Sequence, residues 1–473
     1  MDYSSGVVYT TESIQPRKWN VKHLTGGTLG CSYVRIYWVD LVNIRRCRVV
    51  PIEHFKRLLQ ANRPGVNLAK VCLGLVYLTA APGFLPIGEY LYSIDVATLK
   101  PCPFAPGHWA VQGFFEEKTP IQEADGSLSV RVNLCPRTLL RRIIDEIKQF
   151  HDTEFLVGFE SEFILLKSTN PIEPVNIHDW SATTGLLAGS VEALVLEEIA
   201  DGLQTAGIAL EMFHPEAAPG QYEIVTGPLA PLEAADALIY TREIIVQTAA
   251  KHGLHATFAP RPFMTSAGSS THAHISVHST SGEPKLAEKM SKYESEFLAA
   301  VLTHLPAIAA FTLPTAASYK RMADGVWSGG TYVCWGTENR EAPMRLTNAT
   351  SPSSRNFEAR FIDGTANPHV ALAAVFAAGL LGIREKVTLE IQDCPGKSAA
   401  EMTEEERRAL GITTRMPLSI TEAREALERD SALCEVLGKD LVEAYLSVNK
   451  TLETALGSDH DETQELIRLV KFY

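Results

Sequence analysis

The sequence predicts an α+β fold of two unequal domains. Its 473 residues are too many for one small core. The segment Lys100-Pro-Cys-Pro-Phe-Ala-Pro-Gly107 carries three prolines, which remove backbone donors and argue against regular structure. Beyond it, strand-like and helix-like segments alternate. These observations divide the chain into an N-terminal extension (1–30), a small domain (31–108) and a large domain (109–473).

Taken in order, residues 1–30 are polar and read as loosely held. Ser32–Asp40, rich in β-branched and aromatic residues, reads as a strand, and Arg46–Val50 as a second one after the turn at Val42-Asn43. Ile52–Gln60 reads as a helix and Ala81-Pro82-Gly83 as a turn. In the large domain the expected strands are Trp109–Phe115, Phe155–Leu166, Ala209–Phe213, Gln221–Val225, His255–Phe258, Ala273–His278, Thr331–Trp335 and Asn356–Ile362. Helices are expected over Arg137–His151, Gly189–Gly207 and Leu232–His252, the first with Leu139, Leu140, Ile143, Ile144 and Ile147 on its inward stripe. His369–Ile383 is the longest apolar stretch. It is too short to span a membrane and has helical periodicity, so a buried helix is expected. The tail from Ile420 is helical, opened by the capping-box spelling Ser419-Ile-Thr-Glu422.

A composition of 45% hydrophobic and 21% charged residues is that of a soluble globular protein. The net charge of -13 argues against non-specific nucleic-acid binding, which needs clustered Lys and Arg. A local arginine cluster could still hold an anionic small molecule. The first residues lack the apolar core of a secretory signal, and the eight cysteines show no CxxC spacing. A cytoplasmic protein with reduced thiols and no membrane partner is expected.

The chemistry is concentrated in strand segments that carry polar groups two residues apart, hence on one face. These pairs are Glu160 with Glu162, Gln221 with Glu223, and Glu358 with Arg360, together with the series His272, His274 and Ser276. A charged strand face is ordinarily a solvated edge. Here Phe159, Phe163 and Ile164-Leu165-Leu166 flank the glutamates and argue for a central strand. Carboxylates there are costly unless paired or bound to metal. Oxygen ligands with one imidazole suit Mg²⁺ or Mn²⁺. Arg321, Arg340, Arg345, Arg355 and Arg360 add planar forks that grip carboxylate and phosphate. Cations beside such forks describe a phosphoryl-transfer site, and with no GxxxxGK[ST] run any nucleotide is held without a P-loop.

With these motifs in order, the chain resembles the glutamine synthetase family, in its bacterial-type, longer-chain class. The similarity runs from about Tyr33 to the C-terminus. It is carried by GFESEF (158–163), HPEAAPGQYEI (214–224), ATFAPRPF with GSSTHAHIS (256–276), SYKR (318–321), WGTENREAPMR (335–345) and FEARFIDGTANPH (357–369). The spelling from Trp327 to Val333, with WGTENRE, is similar to a fungal branch that includes the synthetase-like half of the FluG developmental proteins. The resemblance implies a small β-grasp domain followed by a large catalytic α/β domain with a partial β-barrel site. It implies one cation on Glu162, Glu216 and Glu223, and another on Glu160, His272 and Glu358. Arg321, Arg340 and Arg360 would grip the amino acid and its activated carboxylate, with Gly268 and Trp327 also lining the substrate site. Glu211, His274, Ser276 and Arg345, with Arg355, would face ATP. The implied assembly is a homo-oligomer of stacked rings, a dodecamer, with active sites shared between subunits. The implied reaction phosphorylates the side-chain carboxylate of glutamate, after which a nitrogen nucleophile displaces phosphate.

The departures cluster on the amine side. Trp327 stands where the family carries a glutamate on the flap over ammonium, and Leu73–Pro82 has no carboxylate where the family has an aspartate-bearing loop. The glycine-rich element before His272 reads Ala267-Gly-Ser-Ser-Thr, and Arg261 replaces a lysine. No tyrosine precedes Met416 in the position adenylylated in bacterial relatives. An aromatic face could line a pocket for a larger amine, or Trp327 could simply pack the flap. The expectation is a ligase for an organic amine rather than ammonia. The alternative is a non-catalytic regulatory or developmental protein on this scaffold; it predicts eroded metal ligands, whereas all six candidates are present.

Overall fold

The computed structural model describes residues 6–14, 16–26, 30–123, 125–177, 183–280, 290–458 and 460–473. Within the expected N-terminal extension, residues 1–5, 15 and 27–29 therefore lie outside the described residues. Of the rest, Trp19 and Leu24 are buried, Trp19 edge-on against Trp109 with 5.3 Å between ring centroids, and α1 spans His23–Gly26.

Strands β1 (Tyr33–Val39) and β2 (Arg45–Pro51) form a hairpin, and α2 (Ile52–Leu58) follows with Phe55 buried. Next come β3 (Gly65–Ala69), the small hairpin β4 (Leu75–Val76) and β5 (Thr79–Ala80), then β6 (Glu89–Pro101), β7 (His108–Gln122) and β8 (Leu128–Arg131). The first sheet has the order β2-β1-β7-β6-β3, with β8 on β7. Strand β6 runs to Pro101 and takes in the start of the segment expected to be irregular, because Lys100 and Pro101 pair with Ala110 and Trp109 after a bulge. Strands β7 and β8, which lie beyond 108, pair within the first sheet.

After α3 (Pro136–His151) the second unit builds on β9 (Thr153–Thr169) and β10 (Ile172–Pro174), followed by α4 (Val191–Ala206), β11 (Leu210–Pro215), β12 (Gln221–Leu229) and α5 (Pro231–Lys251). Strands β13 (His255–Thr257) and β14 (Thr271–Ser279) precede α6 (Lys292–Thr312) and α7 (Ala316–Arg321). Then come β15 (Trp335–Thr337), β16 (Met344–Thr347), β17 (Asn356–Ala359) and α8 (Pro368–Glu385), with further helices to Phe472. The second sheet runs β11-β12-β9-β14-β17-β16-β15, with β10 and β13 also on β9. The strand expected over Thr331–Trp335 instead begins at Trp335, because Gly329 and Gly330 have positive φ and Asp324 holds Thr331 in a turn.

Helices α6 and α8 are long and apolar enough to span a membrane, and both are buried in the core of this mixed fold. Their close contact needs glycine: a Cβ on Gly379 would meet the Phe297 ring at 2.4 Å, and one on Gly382 the Glu296 carbonyl at 2.2 Å.

Candidate active site

Strand β9 is central, so its alternation sends Val157, Phe163 and Leu165 into hydrophobic clusters while Glu160 and Glu162 face a cavity of about 1040 Å³. Register then assembles the other groups. Glu162 pairs with Glu223 of β12, Glu160 with His272 of β14, and His274 with Glu358 of β17, while Arg345 of β16 also lies opposite Glu358.

His272 Nδ1 lies 3.1 Å from Glu160 Oε2 and 3.3 Å from Glu358 Oε1. Its Nε2 is buried with no hydrogen-bond partner among the described residues. Burial, aided by Arg360, pushes His272 down to about 4, so the imidazole is neutral. His274 Nε2 is 3.0 Å from Glu160 Oε1 and its Nδ1 2.8 Å from Asn356 Oδ1; against burial, the Glu160 charge brings it up to about 9. His214 approaches Glu223 at 3.2 Å and Glu216 at 3.5 Å. Burial, with Glu162 nearby, pushes Glu216 up to about 7, and burial with three neighbouring glutamates pushes Glu223 to about 8. Glu162 accepts from the Ser270 backbone N–H at 2.7 Å and from Gln221 at 3.3 Å.

Candidate ligand atoms of Glu160, Glu223 and His272 lie within 4.8 Å of one another, as do those of Glu160, His274 and Glu358, and those of His214, Glu216 and Glu223. Crowded carboxyls that raise one another, beside a neutral imidazole nitrogen lacking a partner, fit divalent cations. The grouping differs from the expected one in drawing in His214 and His274 and in leaving Glu162 outside all three groups. The His214-x-Glu216 spacing, with Glu216 one residue past the end of β11, obeys the same two-residue rule that identified the other pairs, and could have been read from it.

Trp327 is 70% exposed with φ of 56°, and lines the cavity together with Arg321, Arg340, Arg360 and Gly268. Arg360 donates to Glu358, to the Trp327 carbonyl at 2.7 Å and to the Arg340 carbonyl at 3.1 Å. Buried Arg321 donates to the Arg360 carbonyl at 3.0 Å, and its Nε has no partner among the described residues. A side chain on Gly268 would collide with Arg321 at 2.4 Å, so only glycine lets that arginine cross it. Arg340 is exposed.

The nucleotide-side expectations separate. Glu211, His274, Ser276 and Arg355 line the cavity, whereas Arg345 and Glu358 are outside its lining. Arg345 is bonded to Glu358 at 2.9 Å and to Glu338, and the Arg355 guanidinium is gripped by Glu294 of α6 at 2.7 and 3.1 Å. Ser276 Oγ is 2.7 Å from His278. Glu294 and Glu338 had no sequence signal, because each meets its arginine only through the tertiary fold. Nor did Tyr9, whose hydroxyl donates to Glu211; burial and that carboxylate push it up to about 12.

The family model for the glutamine synthetase catalytic domain matches residues 133–466. The chain belongs to the glutamine synthetase family. Protein fluG of Emericella nidulans is 36% identical over 94% of this chain and 49% of its own, so the chain spans about half the length of that relative. A glutamine synthetase of Methanocaldococcus jannaschii is 31% identical over 89% of this chain and 91% of its own. A gamma-glutamylpolyamine synthetase of Streptomyces coelicolor is 33% identical over 66% and 68%. A crystal structure of a glutamine synthase homologue, 27% identical, covers 95% of this chain and 100% of its own with a TM-score of 0.77, consistent with the fold of the family described above.

Proposed function

We propose that this chain is an ATP-dependent carbon–nitrogen ligase that joins the side-chain carboxylate of glutamate, or a near analogue, to an organic amine. The observation that carries the choice of amine is Trp327, exposed on the cavity wall where the family has a glutamate. An indole face binds an organic cation through its π-system and offers no carboxylate to bare ammonium. Similarity to a gamma-glutamylpolyamine synthetase supports an amine of that class.

Glu160, Glu216, Glu223, His272 and Glu358, with His214 and His274 beside them, would hold Mg²⁺ or Mn²⁺, and Glu162 faces the same cavity. Such cations, when bound, offset charge on a phosphoryl group in transfer. Arg340, exposed on the cavity wall, grips the incoming carboxylate, with Arg321, whose buried Nε has no partner among the described residues, on the same wall. The amine then attacks the activated carboxylate, and the carbon–nitrogen bond forms as phosphate leaves. We further propose a cytoplasmic homo-oligomer of stacked rings, with sites shared between subunits.

A second reading, a non-catalytic scaffold, is favoured by one observation: Glu358 is fully buried with arginines on both oxygens. The deciding experiment is phosphate release from Mg²⁺–ATP with L-glutamate across ammonium, alkylamines, polyamines and aromatic amines. Release dependent on an organic amine supports the ligase. Equal turnover with ammonium alone overturns the amine assignment, and no release with any amine favours the scaffold.

A further inference from the structure

The N-terminal segment reaches the part of the cavity where Glu211 is expected to face the nucleotide. Gly6, Val7 and Tyr9 are part of the cavity wall together with Glu211, Met212, Asn348, Ser353 and Ser354. Two bonds hold the segment there: the Tyr9 hydroxyl donates to Glu211, and the Thr11 hydroxyl reaches Glu154. Gly6 lies close to Asn348 and Ser354. Glu154 pairs with His278 in the sheet, six residues along β9 from Glu160 and its partner His272. At the rise of an extended strand that separation is about 20 Å. The segment therefore reaches the end of these strands that lies away from the cation cluster.

A nucleoside triphosphate whose phosphates meet the cluster must extend its sugar and base along this cavity. The wall that awaits them carries apolar and aromatic groups: Val7 is 66% exposed, Met212 52% exposed, and Tyr9 lines the same wall with its hydroxyl on the Glu211 carboxylate. A flat base stacks on such a ring, while a carboxylate accepts from a base amino group or from ribose hydroxyls. We propose that Tyr9 is a specificity-determining residue of the nucleotide site. Its ring forms one face of the base pocket, and its hydroxyl yields Glu211 to the bound nucleoside. The inference rests on the ligase reading for the presence of a nucleotide, and adds the N-terminal segment to the site.

The test is direct binding on the full chain with Mg²⁺ and no glutamate. Trinitrophenyl-ATP fluorescence serves as the probe, with ATP and GTP as competitors. Tyr9→Ala should weaken ATP about tenfold and narrow the ATP-over-GTP preference, whereas Tyr9→Phe, which keeps the ring, stays within about threefold. The KM for L-glutamate should not move in either variant. ATP affinity of Tyr9→Ala within about twofold of the parent overturns the proposal. If the parent binds ATP and Tyr9→Ala does not, yet no amine supports phosphate release, the inference stands while the ligase reading falls. If the parent binds no nucleotide, both fall.

Discussion

Arg360 couples Glu358 to Trp327: one guanidinium nitrogen donates to the Glu358 carboxylate and another to the Trp327 carbonyl at 2.7 Å. The Trp327 N–H in turn donates to Glu341 at 2.5 Å, so the loop that presents the indole is clamped from both sides. That clamp sustains a left-handed φ of 56°, uncommon for a large residue. Removing the guanidinium leaves Glu358, which is completely buried, with Arg345 as its remaining arginine. Arg360→Ala should cost about 3 kcal/mol of stability and expose the loop around Trp327 to proteolysis. Thermal unfolding and limited digestion check this. A loss under about 1 kcal/mol would mean that Arg345 alone satisfies Glu358.

Trp327 itself should separate amine recognition from nucleotide and acid recognition. Trp327→Ala should raise the KM for the organic amine about tenfold while leaving the KM for ATP unchanged. Trp327→Glu, which restores a carboxylate to the flap, should shift preference toward ammonium. Equal rises in the KM values of amine and ATP in Trp327→Ala would point to flap packing instead.

The two-residue alternation on strands was legible because it is local, and it identified Glu160, Glu162, Glu223, His272 and Glu358 before any register was known. Their convergence was not legible from any one segment, since it depends on β12, β14 and β17 lying side by side around β9. The arginines were found as residue types but not by their partners. Arg345 pairs with Glu338 and Glu358, and Arg355 with Glu294, through the tertiary fold, while Arg360 bonds its near neighbour Glu358 and also the Trp327 and Arg340 carbonyls. Helix α6 went unread because it is apolar nearly all round and holds Pro306, so it lacks the stripe that marks a surface helix. Strand β6 went unread because a bulge between Asp95 and Lys100 interrupts its alternation.

The carboxyl cluster predicts opposite responses in the absence and presence of metal. Burial and neighbouring glutamates hold the Glu223 carboxyl up at about 8, so the charge of this residue is a burden when no cation is bound. Glu223→Gln should therefore unfold no more easily than the parent in chelator. In the parent, saturating Mg²⁺ or Mn²⁺ at about a hundred times its dissociation constant adds about 2.7 kcal/mol, and Glu223→Gln should lose most of that gain. Differential scanning fluorimetry with and without metal reads both. An undiminished metal shift in the variant would remove Glu223 from the cation site.

Far from the cavity, Asp40 makes the stability of the chain depend on pH in the unusual direction for a carboxylate. It is completely buried, accepts from the Val42 and Ile44 backbone N–H groups, and pairs with Arg46 at 2.7 Å. Burial outweighs these partners and pushes it up to about 6, from 3.8 in an unfolded chain. Between these two values the folded state binds the extra proton. The contribution is therefore fully present below pH 3.8 and is lost as the pH rises through about 6. A shift of that size corresponds to about 3 kcal/mol. Asp40→Asn removes the titration, so relative to the parent it should gain stability steadily from pH 4 to pH 7, by about that amount. Urea unfolding of both proteins across this range checks the sign: parallel pH profiles would show that Asp40 keeps its charge in the fold, with Arg46 and the two backbone donors compensating its burial.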